Sequence, residues 1–161
     1  MNYFRPLYPF LMGWALILYT LTFSEIGLIN GLGQLVLFGL VVCLPIWRTG
    51  RMSYVDIGWP WGLVLLGVIS YWFSDGYWLR SLVVSGVVVL IGLRMGMGAL
   101  KMWRMGLLKK EFPRYQYQRR RWERDGKTNV QLALQVDAIS QGLANASFLA
   151  LPIFIIASNN S

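Results

Sequence analysis

Apolar stretches long enough to cross a bilayer constrain this chain more than any other feature. A spanning helix needs about 20 mostly apolar residues. Five segments meet or approach that length: residues 7–23, 28–47, 57–73, 79–100 and 130–157. Only 14% of the 161 residues are charged, against about 25% in soluble domains, and the mean hydropathy is +0.49. The sequence therefore predicts an all-α, polytopic transmembrane helical bundle of about five helices, in a single domain covering residues 1–161.

Positive charges fall in alternate connections between these segments. Arg5 precedes the first segment, and Arg48 and Arg51 follow the second. Ten of the fifteen Lys and Arg lie in the connection formed by residues 101–129. The positive-inside rule then places the N-terminus and this basic loop in the cytoplasm. The predicted localisation is integral and multi-pass, in the inner or plasma membrane if the chain is bacterial.

The composition also excludes several classes of function. There is no histidine and one cysteine, Cys43. No cluster of Cys, His or carboxylate side chains has metal-ligand spacing, so no metal site is predicted. The net charge of +8 would suit an anionic partner. Because the rest of the chain is lipid-soluble, we expect membrane lipids and not nucleic acid.

One arginine lies inside a predicted span. Arg94 falls within residues 79–100, and a cation in hydrocarbon needs a partner or a wet cavity. Asp56 begins the preceding span and would enter from the same face, so we predict that the two form an ion pair. Two alternatives stay open: Arg94 extends to the interface, or Asp56 caps the helix that it begins.

The last segment carries a polar stripe. Its polar side chains project within about 160° of arc at about 100° per residue, and they are Gln131, Gln135, Asp137, Gln141 and Asn145. This stripe should face protein or a water-filled cavity, unless the first turns simply lie at the interface. A transport function would have this stripe as its only support.

Two glycine pairs at a spacing of four residues share a helix face. They are Gly27 with Gly31, and Gly92 with Gly96. Such faces allow helix backbones to approach closely in lipid, but ordinary glycine usage in membrane helices explains them equally well.

Arginines and aromatics alternate in the basic loop at residues 111–122, EFPRYQYQRRRW. Such a mixture can hold a phosphorylated ligand through paired donors and ring stacking. It can also lie flat on anionic lipid, and composition alone favours the lipid interpretation.

Three stretches together resemble the membrane proteins related to steroid 5-alpha-reductases, in the branch described as a domain of unknown function. Residues 53–59, SYVDIGW, are similar to the family's S-x-V-D-x-x-W. Residues 92–96, GLRMG, followed by FPRY at 112–115 and RW at 121–122, are similar to its G-x-R segment and basic loop. QG at 141–142 and LPI at 151–153 are similar to its Q-G…L-P-I segment.

The resemblance implies an NADPH-dependent reduction of a conjugated double bond in a steroid or another lipid. It also implies a cytoplasm-facing site. On that basis we assign Tyr54 and Asp56 as catalytic candidates, with one of them polarising or protonating the substrate. Cavity candidates are Trp59, Arg94 and Gln141, and cofactor candidates are Arg114 and Tyr115.

One departure limits this assignment. The family holds its cofactor mainly through a C-terminal motif like R-H-P-N-Y, which a sequence without histidine does not contain. The chain therefore resembles only the N-terminal, substrate-side half of such a reductase. We expect it to be inactive alone and to bind NADPH only if a second polypeptide supplies the other half. The alternative is a non-catalytic accessory or assembly subunit of a membrane complex.

Overall fold

The computed structural model describes residues 3–159, and within that range the chain forms helices and no strand. The α-helices are α1 Tyr8–Tyr19, α2 Ser24–Phe38, α3 Leu44–Thr49, α4 Val55–Phe73, α5 Trp78–Arg104, α6 Pro113–Arg124, α7 Val130–Ala146 and α8 Ala150–Ala157. A π-helical turn, Gly39–Cys43, joins α2 to α3. Short 3-10 turns lie at Arg5–Leu7, Met52–Tyr54 and Leu107–Lys109. The predicted all-α polytopic class is confirmed.

Four helical stretches in the described part of the chain are long and apolar enough to cross a membrane. They are Ser24–Thr49, Met52–Phe73, Trp78–Arg104 and Val130–Ala157. The remaining predicted span, residues 7–23, forms a helix of only 12 residues, α1. At 1.5 Å per residue α1 is about 18 Å long, too short to cross the hydrocarbon by itself.

The N-terminal segment nevertheless joins the two ends of the bundle. The Tyr3 hydroxyl accepts a hydrogen bond from the Asn129 amide at 3.1 Å, at the end where α7 begins. The Phe23 and Phe154 rings lie 6.3 Å apart near the opposite end. A 3-10 turn before α1 and the turn after it supply the missing length, so Tyr3 lies at the same end as the basic loop.

Two predicted segments differ in internal structure from the expectation. The basic loop, residues 101–129, contains α6, a helix of 12 residues. The fifth segment is two helices, because α7 ends at Ala146 and Ser147 leaves helical geometry with φ −121° and ψ −88°. Ser147 still satisfies its hydroxyl by donating to the Leu143 carbonyl at 2.7 Å.

Helices α4 and α5 pack as antiparallel neighbours. Gly92 faces the Pro60 carbonyl and Val64, and Gly96 faces the Trp61 ring. A Cβ at Gly92 would lie 2.7 Å from the Pro60 oxygen. The close approach therefore depends on the absence of a side chain.

The other predicted glycine pair also serves packing within the chain. Gly27 contacts Ile17, and Gly31 lies against the Trp14 ring. The Trp14 indole donates to the Gly27 carbonyl at 2.9 Å. Both glycine faces are thus occupied inside this chain and are not available to a partner.

The polar stripe of α7 faces protein. Gln131 and Gln135 donate to the carbonyls of Trp47 and Cys43, at 3.3 and 3.0 Å. Nearer the centre of the bundle, Asn145 joins a fully buried group that we call the amide cluster, formed by Asn30, Gln34 and Asn145. The interpretation in which the stripe faces protein therefore agrees with these contacts.

Hydrogen bonds within the amide cluster link three helices. Asn30 donates to the Asn145 carbonyl at 3.1 Å, and Gln34 donates to the Gly62 carbonyl at 2.8 Å. Gln34 also donates to the Asn30 side chain at 3.2 Å. Because an unpaired amide is costly in a dry interior, this cluster fixes α2, α4 and α7 relative to one another.

Candidate functional site

The start of α4 is held in place by Glu111 of the basic loop. One Glu111 oxygen accepts from the Met52 amide at 2.8 Å. The other accepts from the Ser53 amide and hydroxyl, at 3.1 and 2.7 Å. Arg119 lies 3.6 Å from the same carboxylate, and the Ser53 hydroxyl also accepts from the Phe112 amide at 3.4 Å. This clamp brings the segment before α6 against the 3-10 turn Met52–Tyr54, which leads directly into α4.

Asp56 is thereby placed opposite α6. One Asp56 oxygen, Oδ1, accepts hydrogen bonds from the Arg114 guanidinium and, at 3.3 Å, from the Tyr115 hydroxyl. Its second oxygen, Oδ2, is buried and has no hydrogen-bond partner among residues 3–159. Helix α4 begins at Val55, after Tyr54 and without a side-chain cap, so the prediction that Asp56 caps this helix is wrong.

The predicted ion pair between Asp56 and Arg94 is also wrong. Arg114, not Arg94, pairs with Asp56. Arg94 is exposed on α5 and has no ion-pair partner within the described part of the chain. The basic loop folds back under α4 and supplies a second cation, and the sequence alone did not show which cation would reach Asp56.

The paired groups perturb each other's ionisation. Burial alone would lower the pKa of Arg114, but the hydrogen bond from Arg114 to Asp56 raises it, and the net shift of this pKa is upward. Burial and then the nearby Asp56 charge raise the pKa of the Tyr115 phenol. Arg114 therefore stays a cation, and Tyr115 stays a neutral donor toward Asp56 at ordinary pH.

Two adjoining cavities meet at the Asp56–Arg114 pair. The larger, of about 910 Å³, lies between α4, α5 and the loop before α6, and we call it the main cavity. Its lining residues are Asp56, Pro60, Arg94, Met95, Gly98, Ala99, Met102, Phe112, Pro113 and Arg114. The smaller, of about 370 Å³, extends toward α7 and is lined by Val55, Asp56, Trp59, Pro60, Met95, Arg114, Tyr115 and Gln141.

Most of the predicted site residues therefore come together. Asp56 and Arg114 line both cavities, Arg94 lines the main one, and Trp59, Tyr115 and Gln141 line the smaller one. Tyr54 is the exception, since it packs against buried apolar side chains next to the cavities and lines neither. Tyr115 reaches the smaller cavity but is only 7% exposed.

Three further residues of this region were missed by sequence reasoning. Met95 and Pro60 line both cavities, and Glu111 holds the loop that closes them. Pro60 stands inside α4, so it removes the amide that would pair with the Asp56 carbonyl. Nothing in the sequence marks Met95 or Glu111 individually, because methionine is common in apolar spans and glutamate is common in loops.

Metal chemistry has no support in this region. Within residues 3–159, no group of three or more His, Cys, Asp or Glu side chains could hold a metal ion. The polar groups here are two arginines, one carboxylate, a phenol and an amide. Such a set can bind a polar group at the end of an otherwise apolar molecule.

Comparison with known proteins adds one finding. Residues 44–161 match the model of the family described as "Protein of unknown function (DUF1295)". That range contains both cavities and all seven predicted site residues. No curated protein and no solved structure matches the chain significantly.

Proposed function

The chain belongs to the DUF1295 family, a steroid 5-alpha-reductase-like family of membrane proteins, and on that premise we propose that it is the substrate-side part of a lipid reductase. In this proposal an amphiphilic molecule places its apolar body in the main cavity and its polar group at Asp56 and Arg114. The single observation that carries it is the meeting of two cavities at this ion pair.

The lining of the main cavity supports a lipid-like ligand. Apolar surface is contributed by α4, α5 and the loop before α6, through Pro60, Met95, Met102 and Phe112. Methionine side chains adapt to irregular apolar shapes. The polar groups of the main cavity are Asp56, Arg94 and Arg114, and a few fixed polar groups in an apolar cavity orient a ligand as well as retain it.

Asp56 and Arg114 would position the substrate's polar group. Asp56 Oδ2 has no hydrogen-bond donor within the described part of the chain, and a buried acceptor without a partner is costly. A hydroxyl on the ligand would satisfy it. Arg114 has a side chain that is 61% exposed, so it retains donors for a carbonyl or an acidic group.

The residues predicted to hold NADPH already bond to a neighbouring carboxylate. Arg114 pairs with Asp56, and the Tyr115 ring is buried with its hydroxyl on the same carboxylate. In this proposal the remaining donors of Arg114 serve the polar group of the substrate. NADPH therefore enters this proposal only through a second polypeptide or a further segment, and we assign no hydride-transfer step to these residues.

The proposal is tested in two steps. The purified protein in lipid nanodiscs is washed, and the lipids that stay bound are identified by mass spectrometry, with Asp56→Asn and Arg114→Gln measured in parallel. We expect one class of amphiphile to be retained by the parent protein and depleted in both variants. Retention of the same lipids by the Arg114→Gln variant would count against the assignment of the cavity.

NADPH oxidation is then measured with the chain alone and with neighbouring gene products co-expressed. We expect no turnover by the chain alone. Turnover without any second polypeptide would overturn the substrate-side assignment while leaving the lipid-binding cavity intact.

The accessory-subunit function keeps one specific observation in its favour. In the most apolar stretch of the span Trp78–Arg104 only 22% of the residues are buried, against 61% in that of the span Met52–Phe73. A face this open suits a neighbouring transmembrane helix as well as lipid. Stable co-purification of one partner from mild detergent, with no bound amphiphile, would favour this alternative.

A further inference from the structure

Arg94 is the one charge of the main cavity that no ion pair within residues 3–159 neutralises. Asp56 and Arg114 pair with each other, whereas Arg94 has no ion-pair partner among residues 3–159. Taken together, these three groups leave the cavity with one uncompensated positive charge.

The position of Arg94 makes that charge costly. It lies seven residues before Lys101, or about 10 Å along α5 at 1.5 Å per residue. It therefore lies within the span Trp78–Arg104, next to the methionines and proline of the cavity. A cation at this depth is stabilised by an anion or by an aqueous cavity.

We propose that the main cavity binds an amphiphile with an acidic head group, and that Arg94 is the residue that selects the acid. The proposal rests on the proposed function, since it names the class of ligand for the same cavity. The head group is a carboxylate or a phosphate, because a guanidinium donates paired hydrogen bonds to either one. The apolar chain of the ligand lies along Met95 and Met102.

Geometry separates the roles of the two arginines. Arg114 is held by Asp56 and by the Tyr115 ring, with its guanidinium carbon 4.7 Å from the ring centroid. Arg94 has no such restraint and is exposed. Arg114 therefore shapes the cavity, and Arg94 supplies the net charge that distinguishes acidic from neutral ligands.

The test uses three photoreactive probes with the same long alkyl chain and different heads: carboxylate, phosphate and alcohol. The protein is reconstituted in phosphatidylcholine nanodiscs, and labelled peptides that contain Met95 or Met102 are quantified by mass spectrometry. We expect at least one acidic probe to label these peptides about tenfold more than the alcohol, as a charge-assisted contact implies. The better acidic probe identifies the head group.

Variants then assign the preference to one residue. Arg94→Gln should reduce labelling by the acidic probe to the level of the alcohol. The matched control is Arg104→Gln, which removes the same charge from an exposed position on the same helix, and it should keep the preference. If Arg94→Gln weakens labelling by all three probes alike, the substitution could have damaged the cavity itself. Arg94→Lys tests this, because a lysine keeps the charge and should restore the preference for acidic heads.

The outcomes separate this inference from the proposed function. Equal labelling of the parent protein by the acidic and alcohol probes would overturn the role of Arg94, but it would still support a lipid-binding cavity. Labelling by no probe overturns both. Competition by inorganic phosphate would assign the site to a free anion and overturn the amphiphile. A preference for acidic heads that survives Arg94→Gln, or that Arg94→Lys fails to restore, would overturn the role of Arg94.

Discussion

Two polar groups of this molecule, the amide cluster and the cavity pair of Asp56 and Arg114, are built in opposite ways. The three amide side chains are all fully buried, and they bond to one another and to main-chain carbonyls. The cavity pair is open, with side chains 20% and 61% exposed. A closed polar group in a membrane fixes helix positions, whereas an open one leaves donors, here those of Arg114, within reach of a ligand.

Helix α4 contributes to both groups, and the separation between them is short. Asp56 lies in its first turn, and the Gly62 carbonyl lies less than two turns further on. Pro60 stands between them and lines both cavities. The start of α4 is therefore held by loop contacts that a ligand can reach, and its middle is held by contacts that a ligand cannot reach.

The largest effect should come from filling the amide cluster. A Cβ at Gly62 would lie 2.2 Å from Asn145 Nδ2 and 2.6 Å from Gln34 Oε1. Gly62→Ala should therefore displace buried amides, at about 1–3 kcal/mol for each group left unsatisfied. The measurement is the melting temperature in detergent. Gly86→Ala is the control because nothing lies within 4 Å of that position, and equal melting of the two variants would show that the cluster is not tightly closed.

A smaller and local effect should follow from Glu111→Gln. The amide group cannot accept from both Met52 and Ser53, and it loses the charge that faces Arg119. We expect a loss of about 1–2 kcal/mol with faster hydrogen exchange at the amides of Met52 and Ser53. Glu123→Gln removes a charge from an exposed position on α6 and should leave this exchange unchanged. Unchanged exchange in Glu111→Gln would show that the clamp does not order the start of α4.

The cavity pair itself should contribute less to stability. A double-mutant cycle of Asp56→Asn with Arg114→Gln should give a coupling of at most about 1 kcal/mol, because Arg114 is largely exposed. The cycle of Asp56→Asn with Arg94→Gln should give about zero, within about 0.3 kcal/mol. Both are measured by denaturant unfolding in micelles. Coupling that is stronger to Arg94 than to Arg114 would reverse the assignment of the ion pair.

The smallest effect concerns alkaline pH. The pKa of Tyr115 is raised from an ordinary value of 10.0, first by burial. The folded state therefore holds this proton more tightly than the unfolded state does. The protonated Tyr115 phenol contributes fully to stability below about pH 10. This contribution is lost only as the pH rises further, through the raised pKa of Tyr115. Spectrophotometric titration should show that Tyr115→Phe removes a tyrosine that ionises later than the tyrosines of the denatured protein. Loss of an earlier-ionising tyrosine would contradict this.

Much of the fold follows from segment composition. The apolar runs and the alternation of charge predict helices, and they place the basic loop and the N-terminal residues at the same end, where Tyr3 meets Asn129. The sequence shows the polar stripe of α7 but does not predict that it is buried, because a helical turn at the membrane interface has the same spacing of polar residues. The break at Ser147 was not visible because both flanking segments are apolar and helical.

The sequence predicted which residues lie near one another in the site, but not which of them form hydrogen bonds or ion pairs. The resemblance directed attention to Asp56, Trp59, Arg114 and Gln141, and all of them line the cavities. Tyr54 was assigned to the site as a candidate acid together with Asp56. Residues two apart on a helix point about 160° apart, and Tyr54 packs into the apolar core instead.

Sequence alone determined that this chain forms a helical membrane bundle, because spanning helices must satisfy their backbone internally and cover themselves with apolar side chains. It also determined that α4 and α5 each carry a charged group. Only the tertiary structure decided which charges meet. The basic loop folds back through Glu111 onto Ser53, and that contact brings Arg114 to Asp56 and leaves Arg94 facing the cavity. Long-range contacts of this kind depend on loop conformation, which local composition does not determine.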